Sequence, residues 1–120
     1  MKRLSLIKDI QENKLTPNEL IECLDIQHNY VLSNTIRKIV ILNISNDVVV
    51  EKLAETGKLL AEENTLMGIY KIGHLALAAL YLLNTKESIA KYHLEISKLN
   101  EWDRDCVEKI KVSSFFQDEN

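Results

Sequence analysis

The sequence contains little glycine, proline or cysteine. Three Gly and one Pro occur among its 120 residues. β-Sandwiches and barrels need such turn residues at intervals of roughly eight to twelve positions, so their scarcity argues against an all-β fold. Cys23 and Cys106 are the only cysteines, and their separation fits neither a disulfide framework nor the spacing of zinc ligands. We therefore expect a fold held by a packed core rather than by cross-links.

The sequence also lacks an excess of positive charge and a long apolar run. It has 18 Asp and Glu against 15 Lys and Arg, a net charge of −3, which disfavours a nucleic-acid binder that relies on phosphate attraction. The longest uncharged apolar run, residues 75–83, is too short to cross about 30 Å of hydrocarbon. Lys8 and Asp9 interrupt the apolar residues near the start, so no signal peptide is indicated. We expect a soluble, cytoplasmic protein that binds neither nucleic acid nor membrane.

Helix-forming residues make up much of what is present. Leu and Ile far outnumber Val, and Ala, Glu and Lys are plentiful. Apolar residues recur at helical spacing, with Asn, Asp and Thr at the breaks. Thr16-Pro17-Asn18-Glu19 has the pattern of a capping box, and Asp47, Asn64 and Thr85 are further candidate caps. The pattern predicts seven helices, over residues 2–13, 16–26, 30–44, 47–62, 64–84, 85–99 and 101–116.

The fifth predicted helix is apolar almost all round, which predicts that other helices cover it on most sides. His74, in the middle of it, is expected to be a core histidine bonded to a backbone carbonyl. Gly57, on the preceding helix, is expected to permit close approach between helices. All the connections are short, which favours antiparallel neighbours. The prediction is an all-α fold, either a stacked array of helix hairpins or a compact helical bundle.

Three segments share an internal pattern. Residues 36–42, 69–75 and 107–112 each begin with an aliphatic residue, followed by Lys two positions later and Ile three positions later. A period of roughly 30–45 residues with two helices per unit is typical of an α-solenoid. The pattern therefore indicates a repeat protein.

The repeated segments resemble the HEAT family, in particular its phycobilisome-lyase-type repeats. The pair Ile36-Arg37 matches the aliphatic-Arg opening of such a repeat, and Tyr70 and Glu108 replace the Arg in the other two segments. The resemblance implies a short right-handed, armadillo-like solenoid forming a single helical-repeat domain over residues 1–120. Its parts are then a leading hairpin (1–28), two repeats (30–63 and 64–99), a terminal half-repeat (101–116) and a frayed tail (117–120).

The resemblance also implies that the second helix of each unit lies on one concave face, where partners bind. Segments 16–28 and 47–63 each carry a net charge of −3, whereas 2–14 and 29–46 each carry +2. Such alternation predicts an acidic stripe that would attract a basic protein. The predicted partner-binding residues are Glu19, Glu22, Asp25, Glu51, Glu55, Lys58, Glu62, Tyr92 and Trp102.

Residues that could perform chemistry are few. The carboxylate pairs Glu19/Glu22 and Glu51/Glu55 have helical spacing, but nothing suggests the burial that would separate their pKa values for acid–base work. No set of His, Cys and carboxylate residues has complete metal-ligand spacing, and no phosphate-binding or nucleophile motif occurs. We expect no catalytic residue, no metal and no cofactor.

The leading hypothesis is a non-enzymatic protein–protein interaction module that presents an acidic helical face. One alternative is a bacterial immunity protein that neutralises a basic toxin such as a secreted nuclease. A second is a small HEAT-like enzyme or lyase-like protein. A third is self-association into a homodimer through apolar end helices, with Phe115 and Phe116 exposed at one end.

Overall fold

The computed structural model describes residues 3–117 and contains seven α-helices and one short hairpin. The described part of the predicted tail is therefore Gln117 alone, and residues 1, 2 and 118–120 lie outside the described residues. The elements in chain order are α1 Arg3–Gln11, α2 Pro17–Cys23, α3 Asn29–Ile41, α4 Asp47–Thr56, β1 Thr65–Met67, β2 Tyr70–Lys71, α5 Ile72–Leu83, α6 Lys86–Ile96 and α7 Glu101–Lys111, with 3₁₀ turns at Glu62–Asn64 and Ser114–Phe116.

The predicted caps are largely present. Thr16 accepts the Glu19 amide at 3.2 Å, while the Glu19 carboxylate accepts the Thr16 amide at 2.8 Å, so the capping box is confirmed. Thr85 caps α6 as predicted. For α4 the prediction is off by one residue, because the side chain of Asn46, not Asp47, accepts the Val49 amide at 2.9 Å. Three asparagines with positive φ follow the ends of α1, α3 and α5, a conformation that Asn tolerates better than most residues; they are Asn13, Asn43 and Asn84.

The prediction of a helix over 64–84 is wrong in its first part. Residues 65–71 form an antiparallel hairpin in which Thr65 pairs with Lys71 and Met67 with Tyr70. Gly68 has a φ of 61°, which glycine adopts without strain at the first central position of a tight turn. Lys71 has an extended backbone and is the N-cap of α5, so Asn64 is not. All seven helices also end before their predicted last residue.

The hairpin also corrects the repeat alignment. Residues 36–42 lie in α3 and its C-cap, whereas residues 69–75 run through the hairpin turn and β2 into the first turn of α5. The two segments therefore do not occupy equivalent positions in their elements. Ile69, the first aliphatic residue of the second segment, is 49% exposed in the hairpin turn, so the shared residue types do not have shared structural roles.

Helix α5 forms the centre of the core. Every residue from Ile72 to Leu80 is buried, and α3, α4, α6 and α7 all pack against this helix, which confirms the predicted covering. A smaller apolar cluster joins α1, α2 and the start of α3 through Leu6, Ile10, Leu20, Cys23 and Val31. Phe115 and Phe116, expected to be exposed, pack partly buried against the main core because the 3₁₀ turn folds back onto α3.

The helices form two series of neighbours. The odd-numbered helices contact in the order α1, α3, α5, α7, and the even-numbered ones in the order α2, α4, α6. The described residues measure 37 × 31 × 27 Å along the principal axes. The all-α class is thus confirmed, while a right-handed solenoid and a HEAT relationship stay predictions.

Candidate functional site

Helices α2, α4 and α6 lie side by side, and their outward residues form what we call the even-helix face. A shallow groove of about 580 Å³ runs between α2 and α4, with Leu24 and Leu59 among its lining residues. A second groove of about 490 Å³ runs between α4 and α6 and includes Val50, Ala90 and Leu94. Glu51 lines both grooves. The face is therefore a ridge, α4, with a groove on each side.

Ion pairs join neighbouring helices across this face. Lys52 of α4 pairs with Asp25 at the end of α2, and Lys91 of α6 pairs with Glu51 of α4 at 3.0 Å. The hydrogen bond and charge of Glu51 raise the pKa of Lys91. All of these side chains retain contact with solvent, so each pair adds little to stability. The pairs link neighbouring helices of the face without contributing much to the stability of the fold.

The same pairs reduce the charge of the predicted acidic stripe. The two grooves are lined by three lysines, each within ion-pair distance of a carboxylate: Lys52 with Asp25, Lys91 with Glu51, and Lys58 with Glu55 at 3.2 Å. Of the predicted partner-binding residues, Asp25, Glu51, Glu55 and Lys58 thus meet at the grooves, but in compensated pairs.

Two groove-lining carboxylates remain without an ion-pair partner among the described residues, Asp47 and Glu87. Both stand in the first turn of their helices, α4 and α6, where a negative charge also favours the helix dipole. They line the α4/α6 groove, beside Leu94, which is 51% exposed. This groove therefore combines an apolar floor with uncompensated negative charge.

The other predicted carboxylates do not line the grooves. Glu19 is held in the α2 capping box, and Glu22 is exposed on α2. Glu62, expected on the fourth helix, lies beyond the end of α4 in a 3₁₀ turn. The helix ends at Thr56, and Gly57 is its C-cap.

Tyr92 is not a surface residue, which corrects its prediction as a partner contact. It is 4% exposed and faces α7, where its hydroxyl donates to Glu108 at 3.0 Å and accepts from Lys111 at 3.1 Å. The Lys111 ammonium also lies 3.6 Å from the ring centroid of Tyr81. Burial raises the pKa of Tyr92, and the bond from Lys111 lowers that of Glu108. This cluster ties α5, α6 and α7 together at one end.

Trp102 is half exposed but lies on α7 and lines neither groove. Its ring packs edge-on against His74 at 5.9 Å, and the Lys71 ammonium lies 5.3 Å from its centroid. The structure therefore does not bring Trp102 together with the groove carboxylates.

His74 is fully buried, and both of its ring nitrogens are engaged. Nδ1 lies 3.0 Å from the Lys71 amide and accepts from it, so Nε2 carries the proton and donates to Asp103 at 2.8 Å. The predicted core role is correct, but its backbone partner is an amide rather than a carbonyl. Burial lowers the pKa of His74, and the Asp103 carboxylate partly opposes this. The ring connects α5 to α7 and leaves no nitrogen open to act as a base.

Both cysteines are buried, and burial raises the pKa of each thiol. Neither is a favourable nucleophile in that state. Within residues 3–117 no three His, Cys, Asp or Glu side chains are placed to hold a metal ion.

Sequence reasoning missed Lys52, Lys91, Asp47 and Glu87 as face residues. Their helices were identified, but pairing across helices depends on which turn faces which, and net charge summed over a segment does not contain that information. A count of first-turn carboxylates at each capped helix would have found Asp47 and Glu87.

Comparisons with protein-family models, with curated proteins and with solved structures find no match to this chain. In the part of the chain that the structure describes, no helix has both the length and the apolarity to cross a bilayer.

Proposed function

We propose that this protein is a helical interaction module that binds a basic partner protein on the even-helix face. The observation that carries the proposal is the side-by-side packing of α2, α4 and α6, which creates two adjacent grooves on one surface. A groove between two neighbouring helices can hold an extended or helical segment of a partner protein. An immunity protein that masks a basic toxin is a narrower form of this proposal.

The α4/α6 groove is the principal contact region in this proposal. Val48 and Leu94 are 53% and 51% exposed, on the two helices that bound the groove. Exposed aliphatic side chains beside uncompensated carboxylates favour a partner that presents apolar residues flanked by Lys or Arg. The ion pairs on the rest of the face, Asp25–Lys52, Glu51–Lys91 and Glu55–Lys58, would orient the bound partner and add little to its affinity.

Charge neutralisation tests the proposal. The face variant, Asp47→Asn/Glu87→Gln, removes both uncompensated negative charges. It introduces no positive charge next to Lys91 or Lys58. The control variant, Glu12→Gln/Glu101→Gln, makes the same change in net charge beside α1 and on α7. Glu101 is a first-turn carboxylate like both face residues, whereas Glu12 pairs with Lys14 at 3.2 Å. Both double variants are used, beside the unaltered protein, to capture partners from extracts of the cells that make it.

We expect the unaltered protein and the control variant to capture the same basic protein. The face variant should capture at least about tenfold less of it, and this difference in captured amount should become smaller at high salt. Equal recovery on all three baits would contradict the proposal. Recovery of the chain itself as the sole specific protein would instead support the self-association alternative.

A further inference from the structure

A separate cavity of about 390 Å³ lies between α3, the hairpin, α5, α7 and the C-terminal 3₁₀ turn. It shares no lining residue with the two grooves. Its apolar walls come from Leu66, Leu75, Ile110 and Phe115. A concave site of this size with mostly apolar walls and a few polar groups is typical of small-molecule binding.

The polar lining of the cavity is cationic and hydroxylic. It contains Arg37, Lys109, Ser113 and Ser114, and no carboxylate among the described residues lines it. Lys109 pairs with Asp105 at 3.0 Å, so its charge is compensated. Arg37 is therefore the cationic group that matters for a ligand.

Arg37 is held in place by neutral partners. Its Nε donates to the Phe115 carbonyl at 2.9 Å, and its Nη2 donates to the Gln117 carbonyl at 2.8 Å. Carbonyl oxygens fix the plane of the guanidinium without cancelling its charge. Two of its five N–H groups are used in this way, which leaves donors for an oxyanion. A guanidinium fixed in advance loses less entropy when it binds a carboxylate.

The repeated segments of the sequence converge on this cavity. Each of the three segments that share the sequence pattern contributes one residue to the cavity lining: Arg37, Tyr70 and Lys109. The even-helix face uses none of them. The cavity thus gives these residues a common location that neither the solenoid prediction nor the proposed function assigned.

We propose that this cavity binds a small carboxylate with an apolar body, its carboxylate on Arg37 and its apolar part against Leu75 and Ile110. A volume of about 390 Å³ holds roughly 13 non-hydrogen atoms at ~30 Å³ each, which accommodates an alkyl carboxylate of about eight carbons, with its roughly ten non-hydrogen atoms. The apolar part of the lining offers no partner to a second charged group, so the site favours a ligand with one charge.

Titration of the full chain with sodium octanoate tests the proposal, by calorimetry and by amide chemical shifts. Octylammonium chloride has the same chain with the opposite charge and serves as the ligand control. We expect saturable binding of octanoate, with shifts concentrated at Tyr70, Ile110 and Ser113, and no saturable binding of the amine.

Three variants give the test its specificity. Arg37→Gln should weaken octanoate binding by about tenfold or more, because a hydrogen bond to a charged group is lost. Ser114→Phe should abolish it by filling the cavity. Arg104→Gln is the matched control, since Arg104 also donates to two backbone carbonyls, those of Ile96 at 3.2 Å and Ser97 at 3.3 Å, but does not line the cavity. Its affinity should equal that of the unaltered protein.

The proposal is overturned if octanoate shows no saturable binding, if the amine binds equally well, or if folded Ser114→Phe keeps full affinity. Should Arg37→Gln fail to fold, Ser114→Phe and the comparison of the two ligands still decide the matter.

Discussion

Removing the Asp103 carboxylate should destabilise the protein far more than removing a neighbouring one. In Asp103→Ala the buried His74 keeps its Nε2–H but loses the acceptor at 2.8 Å. An unsatisfied buried donor costs about 1–3 kcal/mol, and loss of a first-turn charge costs about 0.3–1 kcal/mol more. We therefore expect the free energy of unfolding to fall by about 1–4 kcal/mol.

Asp105→Ala is the matched control, because Asp105 is exposed on the same helix and, among the described residues, forms an ion pair with Lys109 alone, at i,i+4 spacing. Its cost should be about 0.5 kcal/mol or less. Asp103→Asn keeps an acceptor oxygen but not the charge, and it should fall between the two. Urea unfolding followed by circular dichroism measures all three, provided that the denaturant slope stays constant. A cost for Asp103→Ala no greater than that for Asp105→Ala would refute the role given to the bond between α5 and α7.

Two further predictions concern stability. His74 has a lowered pKa when folded, so the unfolded chain takes up a proton first as the pH falls below about 6.5. Stability should therefore decrease between pH 7 and 5.5, by up to about 1.4 kcal/mol per pH unit from this group, and the slope should flatten in His74→Gln; equal slopes in the two proteins would contradict the assignment. Gly73→Ala should destabilise by about 1–3 kcal/mol in urea unfolding despite the better helix propensity of Ala, because its Cβ would lie 2.7 Å from the Gly57 carbonyl oxygen and 2.9 Å from that of Leu59. A Gly73→Ala protein as stable as the original would mean that this backbone contact relaxes freely.

The sequence predicted the features that depend on local chemistry. The capping box at Thr16 and the cap at Thr85 need only residues within one turn, and the burial of α5 follows from an apolar run with no polar side. The hairpin was missed because Leu66, Ile69 and Tyr70 fit a helical period, and Gly68 was the one local sign of a turn.

The surface chemistry was predictable only in part. Asp25 and Glu51 of the even-helix face were identified from helix positions, but their compensation by Lys52 and Lys91 depends on contacts between helices. The burial of Tyr92 depends in the same way on Lys111 and Glu108, which lie 16 to 19 positions further along the chain. No pattern confined to one helix specifies such pairs.

The central position of α5 has a consequence for how the protein opens. Amides of α5 are shielded by four surrounding helices, so their exchange with solvent deuterium requires the whole molecule to unfold. The buried residues of α1, Leu6 and Ile10, belong only to the smaller apolar cluster, and this helix packs mainly on α3. We therefore expect the amides of α1 to exchange through detachment of this one helix, while α2, which also packs on the main core and on α4, opens with the rest.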